Sequence, residues 1–172
     1  KQRFDRIVEL YQTQTNLSHR TSQSIMLQQY STPAPIAFCA SEWCIENSDL
    51  QEKSWLFEPS AGNGMLTIAF PTKQVIVNEI DELRNSILQQ QSFFAVTKID
   101  SSEYIPMSDQ VYDKDLKVDC VITNPPFGVL EKPVLFDDYP IKSLEQLMAL
   151  RGLDLLKDNG KAAIIIGGHT QW

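Results

Sequence analysis

Apolar residues recur at three- and four-residue intervals from the start of the chain. Phe4, Ile7, Val8 and Tyr11 share one helical face and Arg3, Asp5, Arg6 and Glu9 the other, so the pattern predicts an amphipathic opening helix. A polar run over residues 12–24 follows. Thr32-Pro33 then reads as an N-cap with Pro at the first helical position, and Ile36, Phe38, Cys39 and Trp43 supply the apolar residues of a second helix ending near Ile45. Beyond residue 54 the period changes. Short apolar runs at 55–57, 75–77, 94–99, 118–123 and 162–166 predict five strands, and residues 65–70, 80–91 and 143–157 carry helical spacing between them. Strands alternating with helices, joined by right-handed crossovers, predict an α/β domain: a three-layer, doubly wound, mostly parallel sheet. The stretches 100–117 and 128–142 read as long loops, where such folds often carry function.

Composition narrows the picture without redirecting it. With 172 residues, 42% of them hydrophobic and 22% charged, the chain can bury one core without staples. Its three cysteines have no CxxC spacing, which argues against a disulfide framework or a zinc site and makes a reducing cytoplasm the default. Asp137-Asp138, with no His or third acid nearby in its loop, reads as a solvated loop face rather than a metal site. No apolar run approaches the roughly 18 residues of a membrane span, and Lys1 to Asp5 lack the apolar core of a signal peptide. The first residue is not Met, so the chain reads as part of a longer protein. Fifteen basic against 22 acidic residues give a net charge of −7, the wrong sign for holding nucleic acid by charge alone. Arg151 shares the stripe of Leu144, Leu147, Met148 and Leu155, where a snorkelling stem or an ion pair accounts for it.

Ligands of open α/β sheets sit beyond the carboxyl ends of the strands, so chemistry is sought there. After the first strand comes Glu58-Pro59-Ser60-Ala61-Gly62-Asn63-Gly64, whose glycines permit a tight turn and a close backbone approach to a ligand. It is not a P-loop, because no Gly-Lys-Ser/Thr follows, and it lacks the third glycine of the dinucleotide fingerprint. The second strand ends at Asn78-Glu79-Ile80, placing an acid about 15 to 20 residues beyond the turn, the arrangement that binds ribose hydroxyls. The third ends at Asp100-Ser101, whose carboxylate is able to accept from a base amine. The fourth ends in Asn124-Pro125-Pro126-Phe127. Two prolines remove two N–H donors and leave carbonyls that only accept, beside an amide that also accepts. Such acceptors suit an NH2 group. Accepting both its protons draws the nitrogen toward tetrahedral geometry and exposes its lone pair, while Phe127 offers a stacking face.

On these residues the chain resembles the S-adenosylmethionine-dependent, amino-methylating DNA methyltransferases of the N6-adenine type. Gln29-Tyr30-Ser31-Thr32-Pro33 resembles the segment over the methionine end of the cofactor, Glu58 to Gly64 the main cofactor loop, Glu79 the ribose acid, Asp100 the adenine acid and Asn124 to Phe127 the catalytic tetrapeptide. The resemblance spans about residues 28–166 and implies a class I methyltransferase, Rossmann-like fold. It implies cofactor contacts at Tyr30, Thr32, Pro33, Glu58, Pro59, Ser60, Ala61, Gly62, Gly64, Glu79, Ile80, Asp100, Ser101 and Asn124. It also implies catalysis by Asn124, Pro125, Pro126 and Phe127, with S-adenosylmethionine as the cofactor and no metal expected.

The expected organisation is an N-terminal helical extension, 1–27, and a catalytic core, 28–172, cut short at its C-terminal end, since the family adds two strands and a target-recognition region. The expected function is methylation of the N6 amine of adenine in DNA, with DNA held by regions outside this chain. An RNA base amine or a protein glutamine amide is the alternative substrate, and a non-catalytic cofactor-sensing module the alternative of another class.

Overall fold

The computed structural model describes residues 1–14, 31–48, 54–103 and 116–166. Seven strands and four helices are described: α1 (Gln2–Thr13), α2 (Ala34–Glu46), β1 (Leu56–Glu58), β2 (Val75–Asn78), α3 (Glu82–Leu88), β3 (Ala95–Thr97), β4 (Val118–Thr123), β5 (Val129–Phe136), β6 (Tyr139–Ser143), α4 (Leu144–Leu153) and β7 (Leu156–Ile164). The main sheet runs β3-β2-β1-β4-β7, every neighbouring pair parallel. Chain order reverses between β1 and β4, so the switch point lies where those two strands diverge.

Residues of the central strands alternate between two buried faces. Leu56, Val75, Val77, Cys120 and Ile122 point to one side with Ala37 and Cys44 of α2, and Phe57, Ile76, Val118 and Val121 to the other. Both faces are covered because these strands lie in a parallel sheet between helices, which is why they appear in the sequence as unbroken apolar runs. On the second face α4 comes close at Gly152, where an added Cβ would stand 3.3 Å from Val121 Cγ1. The opening helix α1 forms where its periodicity places it. It packs on α2, with Arg3 and Glu42 3.8 Å apart, and buries no residue fully.

Several expectations are corrected. Pro33, not Thr32, is the N-cap of α2, and the first turn takes Pro35. The orphan donors of that turn are few because Pro35 has none, so the helix begins without a side-chain cap. Residues 65–70 form only a single 3-10 turn, Met65–Thr67. Left-handed Gly64 starts that segment and Pro71 stops it, leaving too few residues to nucleate an α-helix. The last strand begins at Leu156 rather than 162, and its register jumps between Leu156, opposite Val118, and Lys161, opposite Cys120.

Residues 128–142, expected as a loop, form an antiparallel ribbon of β5 and β6. Its two-residue turn, Asp137-Asp138, has φ of 44° and 70°. Arg151 lies 5.2 Å from the centre of the Phe136 ring and so ties the ribbon to α4. Most of the other long stretch, 104–115, lies outside the described residues. Among the described residues, no helix is long and apolar enough to cross a membrane.

Candidate functional site

At the carboxyl ends of β1 to β4 lies a cavity of about 310 Å³. Glu58 closes β1 at the bottom of it. Strand pairing on both sides buries this residue to 1% exposure, and its Oε2 has no hydrogen-bond partner among the described residues. Loss of water, and then the charge of Glu79, push its carboxyl well above the usual glutamate range.

The chain next turns sharply. The Ala61 N–H donates to the Asn78 carbonyl at 2.8 Å, Gly62 adopts φ +60°, and its N–H donates to Glu79 Oε2 at 2.7 Å. The other oxygen of Glu79 accepts from the Asp81 N–H at 2.8 Å. Burial raises the Glu79 pKa, opposed by these two backbone donors and by Arg84. A carboxylate held by one donor on each oxygen is fixed in plane and keeps a second lone pair on each for a ligand. Across the site, the Ser60 and Thr123 hydroxyls stand 2.9 Å apart, joining the loop to the end of β4.

Asn78 organises the floor. Its amide nitrogen donates toward the Pro59 carbonyl, the Ile99 carbonyl and Ser101 Oγ, and its oxygen accepts from Thr97 Oγ1 and the Ile99 N–H, all within 3.0 Å. Ser101 Oγ itself donates to the Pro59 carbonyl at 2.5 Å. One buried side chain thus holds together the loops that follow β1, β2 and β3. At the rim, Asp100 Oδ1 accepts from the N–H and hydroxyl of Ser102, and Ile80 stands 52% exposed.

At the far end Asn124 donates through Nδ2 to Thr32 Oγ1 at 3.0 Å, while its buried Oδ1 has no partner among the described residues. Pro126, Leu144 and Met148 form the apolar wall there.

Of the residues expected from the sequence, the cavity is lined by Thr32, Glu58, Pro59, Ser60, Ala61, Gly62, Glu79, Ile80, Asp100, Ser101, Asn124 and Pro126. Pro33, Gly64, Pro125 and Phe127 are not among its lining residues, and Tyr30 lies outside the described residues. Gly64, expected to leave room for a ligand, faces the core instead. A Cβ on it would stand 3.0 Å from Phe93 Cζ and 3.2 Å from Leu88 Cδ2. Asn78, Arg84, Leu144 and Met148 were not foreseen as site residues. The signal for Leu144 and Met148 was present as an i, i+4 apolar pair, but the same spacing describes a core stripe equally well.

No protein-family model matches the sequence, and no curated protein matches it significantly. Among solved structures, the chain is similar to a Listeria monocytogenes protein assigned as a class I S-adenosylmethionine-dependent methyltransferase. The TM-score is 0.58 and the identity 15%, over 93% of this chain and 50% of that one. It is also similar to an rRNA methyltransferase from Streptomyces viridochromogenes, with TM-score 0.51 and 13% identity over 85% and 82% of the two chains. The chain therefore spans half the length of the Listeria protein. The strand order, the helices on both faces and these likenesses define the class I methyltransferase, Rossmann-like fold.

Proposed function

We propose that the chain is the catalytic core of an S-adenosylmethionine-dependent methyltransferase acting on the N6 amine of adenine in DNA. The observation that carries this reading is a pair of buried acceptors in one cavity, Glu58 Oε2 and Asn124 Oδ1, neither with a partner among the described residues. Buried polar atoms are normally satisfied, so Asn124 Oδ1 calls for a donor from whatever fills the cavity, and Glu58, when it ionises, calls for a positive charge. S-adenosylmethionine has an ammonium, a sulfonium, a ribose diol and an aromatic amine, and the donor set fits.

Glu58 would hold the methionine end by its charge. Glu79, immobilised by Gly62 and Asp81, would accept from the ribose hydroxyls, Asp100 from the adenine amine, and Ile80 would cover a ring face. When bound, the cofactor would supply a methyl on a sulfonium, which would pass to the amine nitrogen as the C–S bond breaks, with the electron pair left on sulfur and the surplus proton released to water. Asn124 Oδ1 and the Pro125 carbonyl would accept from the target amine and favour its tetrahedral form. The resemblance of Asn-Pro-Pro-Phe to the DNA-adenine tetrapeptide supports the substrate. The same reading makes residues 28–172 the catalytic core and residues 1–27 an extension. With a net charge of −7, contacts to DNA phosphates are expected from another part of a longer protein.

Calorimetric titration of the chain with S-adenosylmethionine and its demethylated product, followed by labelled-methyl transfer to DNA, RNA and protein by the longer protein that carries it, tests the reading. Cofactor binding with label on DNA adenine supports it. Label on RNA or on glutamine keeps the enzyme and changes the substrate, and no binding of either cofactor form overturns it.

A further inference from the structure

The two ends of a side-chain amide have nearly the same shape and opposite hydrogen-bonding character. An Asn that grips an NH2 group must present its oxygen, because its nitrogen would set donor against donor. In this chain the nitrogen end of Asn124 is already committed. It donates 3.0 Å to Thr32 Oγ1, across 92 positions of sequence, and the oxygen end is left buried at the cavity without a partner among the described residues.

Thr32 is free to serve this purpose because it is not needed where the sequence places it. Pro33 is the N-cap of α2, and no side chain caps that helix. We infer that Thr32 is a positioning residue for the transfer reaction: its hydroxyl oxygen takes the donor end of Asn124, fixes the plane of the amide, and so delivers Oδ1 to the target amine. This inference rests on the proposed amine methylation and gives Thr32 a task other than contact with the cofactor. A second effect runs the same way. Donation from Nδ2 polarises the amide and makes Oδ1 a better acceptor. Thr32 belongs to the segment leading into α2, and Asn124 follows β4, so two distant parts of the chain must come together before the acceptor is set.

The variants that test this are Thr32→Val, which keeps the shape and removes the acceptor, and Thr32→Ser, which keeps the acceptor. In labelled-methyl transfer, Thr32→Val is expected to lower turnover about ten- to a hundredfold, the scale of a small misplacement of a reacting group. S-adenosylmethionine affinity should stay within about twofold, and Thr32→Ser should recover most of the activity. Against an Asn124→Ala background the same substitution should have no further effect, because the side chain it acts through is gone.

A measurement independent of turnover is the pair of Asn124 side-chain amide proton signals in a ¹⁵N spectrum, identified by their absence in Asn124→Asp. They should shift and exchange faster with solvent in Thr32→Val, but not in Thr32→Ser. Unchanged amide signals in Thr32→Val, equal impairment by Val and Ser, or a cofactor affinity that falls in step with turnover would each overturn the role. If the longer protein that carries this chain transfers no methyl to any of the three substrates, the proposed reaction fails separately, and the amide signals of the chain still decide whether Thr32 fixes Asn124.

Discussion

The side-chain nitrogen of Asn78 donates to the carbonyl of Pro59 at 3.0 Å, and through that bond the end of β2 holds the loop that leaves β1. The same side chain reaches Ile99 and Ser101 beyond β3, so three loops share one buried clasp. Asn78→Asp keeps the shape but removes the donors and buries a charge. Taking the donor from the Ile99 carbonyl and setting a buried carboxylate oxygen against the Pro59 and Ile99 carbonyls is expected to cost about 3 kcal/mol, measured by urea unfolding. Cofactor affinity should fall with it, read by calorimetry at a temperature where the variant remains folded.

The two glycines of the loop should respond differently. At Gly62 an added methyl meets only the flexible tip of Arg84 at 3.4 Å, so Gly62→Ala carries mainly the cost of a left-handed backbone, about 1–2 kcal/mol. At Gly64 the methyl also presses on Phe93 and Leu88, so Gly64→Ala should lose a further 1 kcal/mol or more, on the order of other overpacked sites. Parallel urea titrations check the ranking; Gly62→Ala proving the more damaging to stability would contradict it.

Glu58 sets a pH dependence whose sign follows from its burial. Its folded pKa is raised, so the protonated form stabilises the ligand-free fold, and that contribution is lost as pH rises from the ordinary glutamate range through the raised value. Ligand-free protein should therefore melt at higher temperature toward mildly acidic pH. Glu58→Gln should flatten the profile and raise the melting temperature at neutral pH. Affinity for a cationic ligand moves the opposite way, tightening as pH rises, and the Gln variant should lose both the affinity and its pH dependence. Thermal melts and titrations from pH 5 to 8 check all of these.

At the tip of the ribbon, Asp137 and Asp138 hold positive φ values that Asn and Gly adopt more readily. Replacing the pair by Asn-Gly should stabilise the chain by about 1 kcal/mol, the scale of one relieved left-handed residue. Neither residue lines the cavity, so cofactor affinity should be unaltered. A lower melting temperature would count against the turn assignment.

The same ribbon marks the limit of what was legible in the chain. Central strands such as β2 and β4 announce themselves because burial on both faces demands unbroken apolar runs. Asn124-Pro125-Pro126-Phe127 stands out because few turns need two consecutive prolines after such a strand. By contrast, β5 and β6 contain Pro133 and Pro140, which argue against strands, and their turn lacks the usual glycine. Asn78 at a strand end looks like any turn residue, since its partners lie about 20 positions away on either side. Thr32 before Pro33 looks like a helix cap for the same reason: local pattern reports local partners, and the partner it keeps is Asn124. Gly64 was placed in the right turn but assigned to the ligand, because a backbone requirement in sequence does not say which side it serves.

The break in β7 has a consequence for how copies of the chain meet. β7 is one of the two edge strands of the main sheet among the described residues, β3 being the other. A foreign strand laid along it would find its first half out of step, where the register jumps between Leu156 and Lys161, and studded with Lys157, Asp158 and Lys161. Only the short, straight stretch from Ala162 to Ile164 offers a regular template. At this edge, pairing between copies is thus confined to three residues, and a single lysine introduced at Ala162 would close most of it.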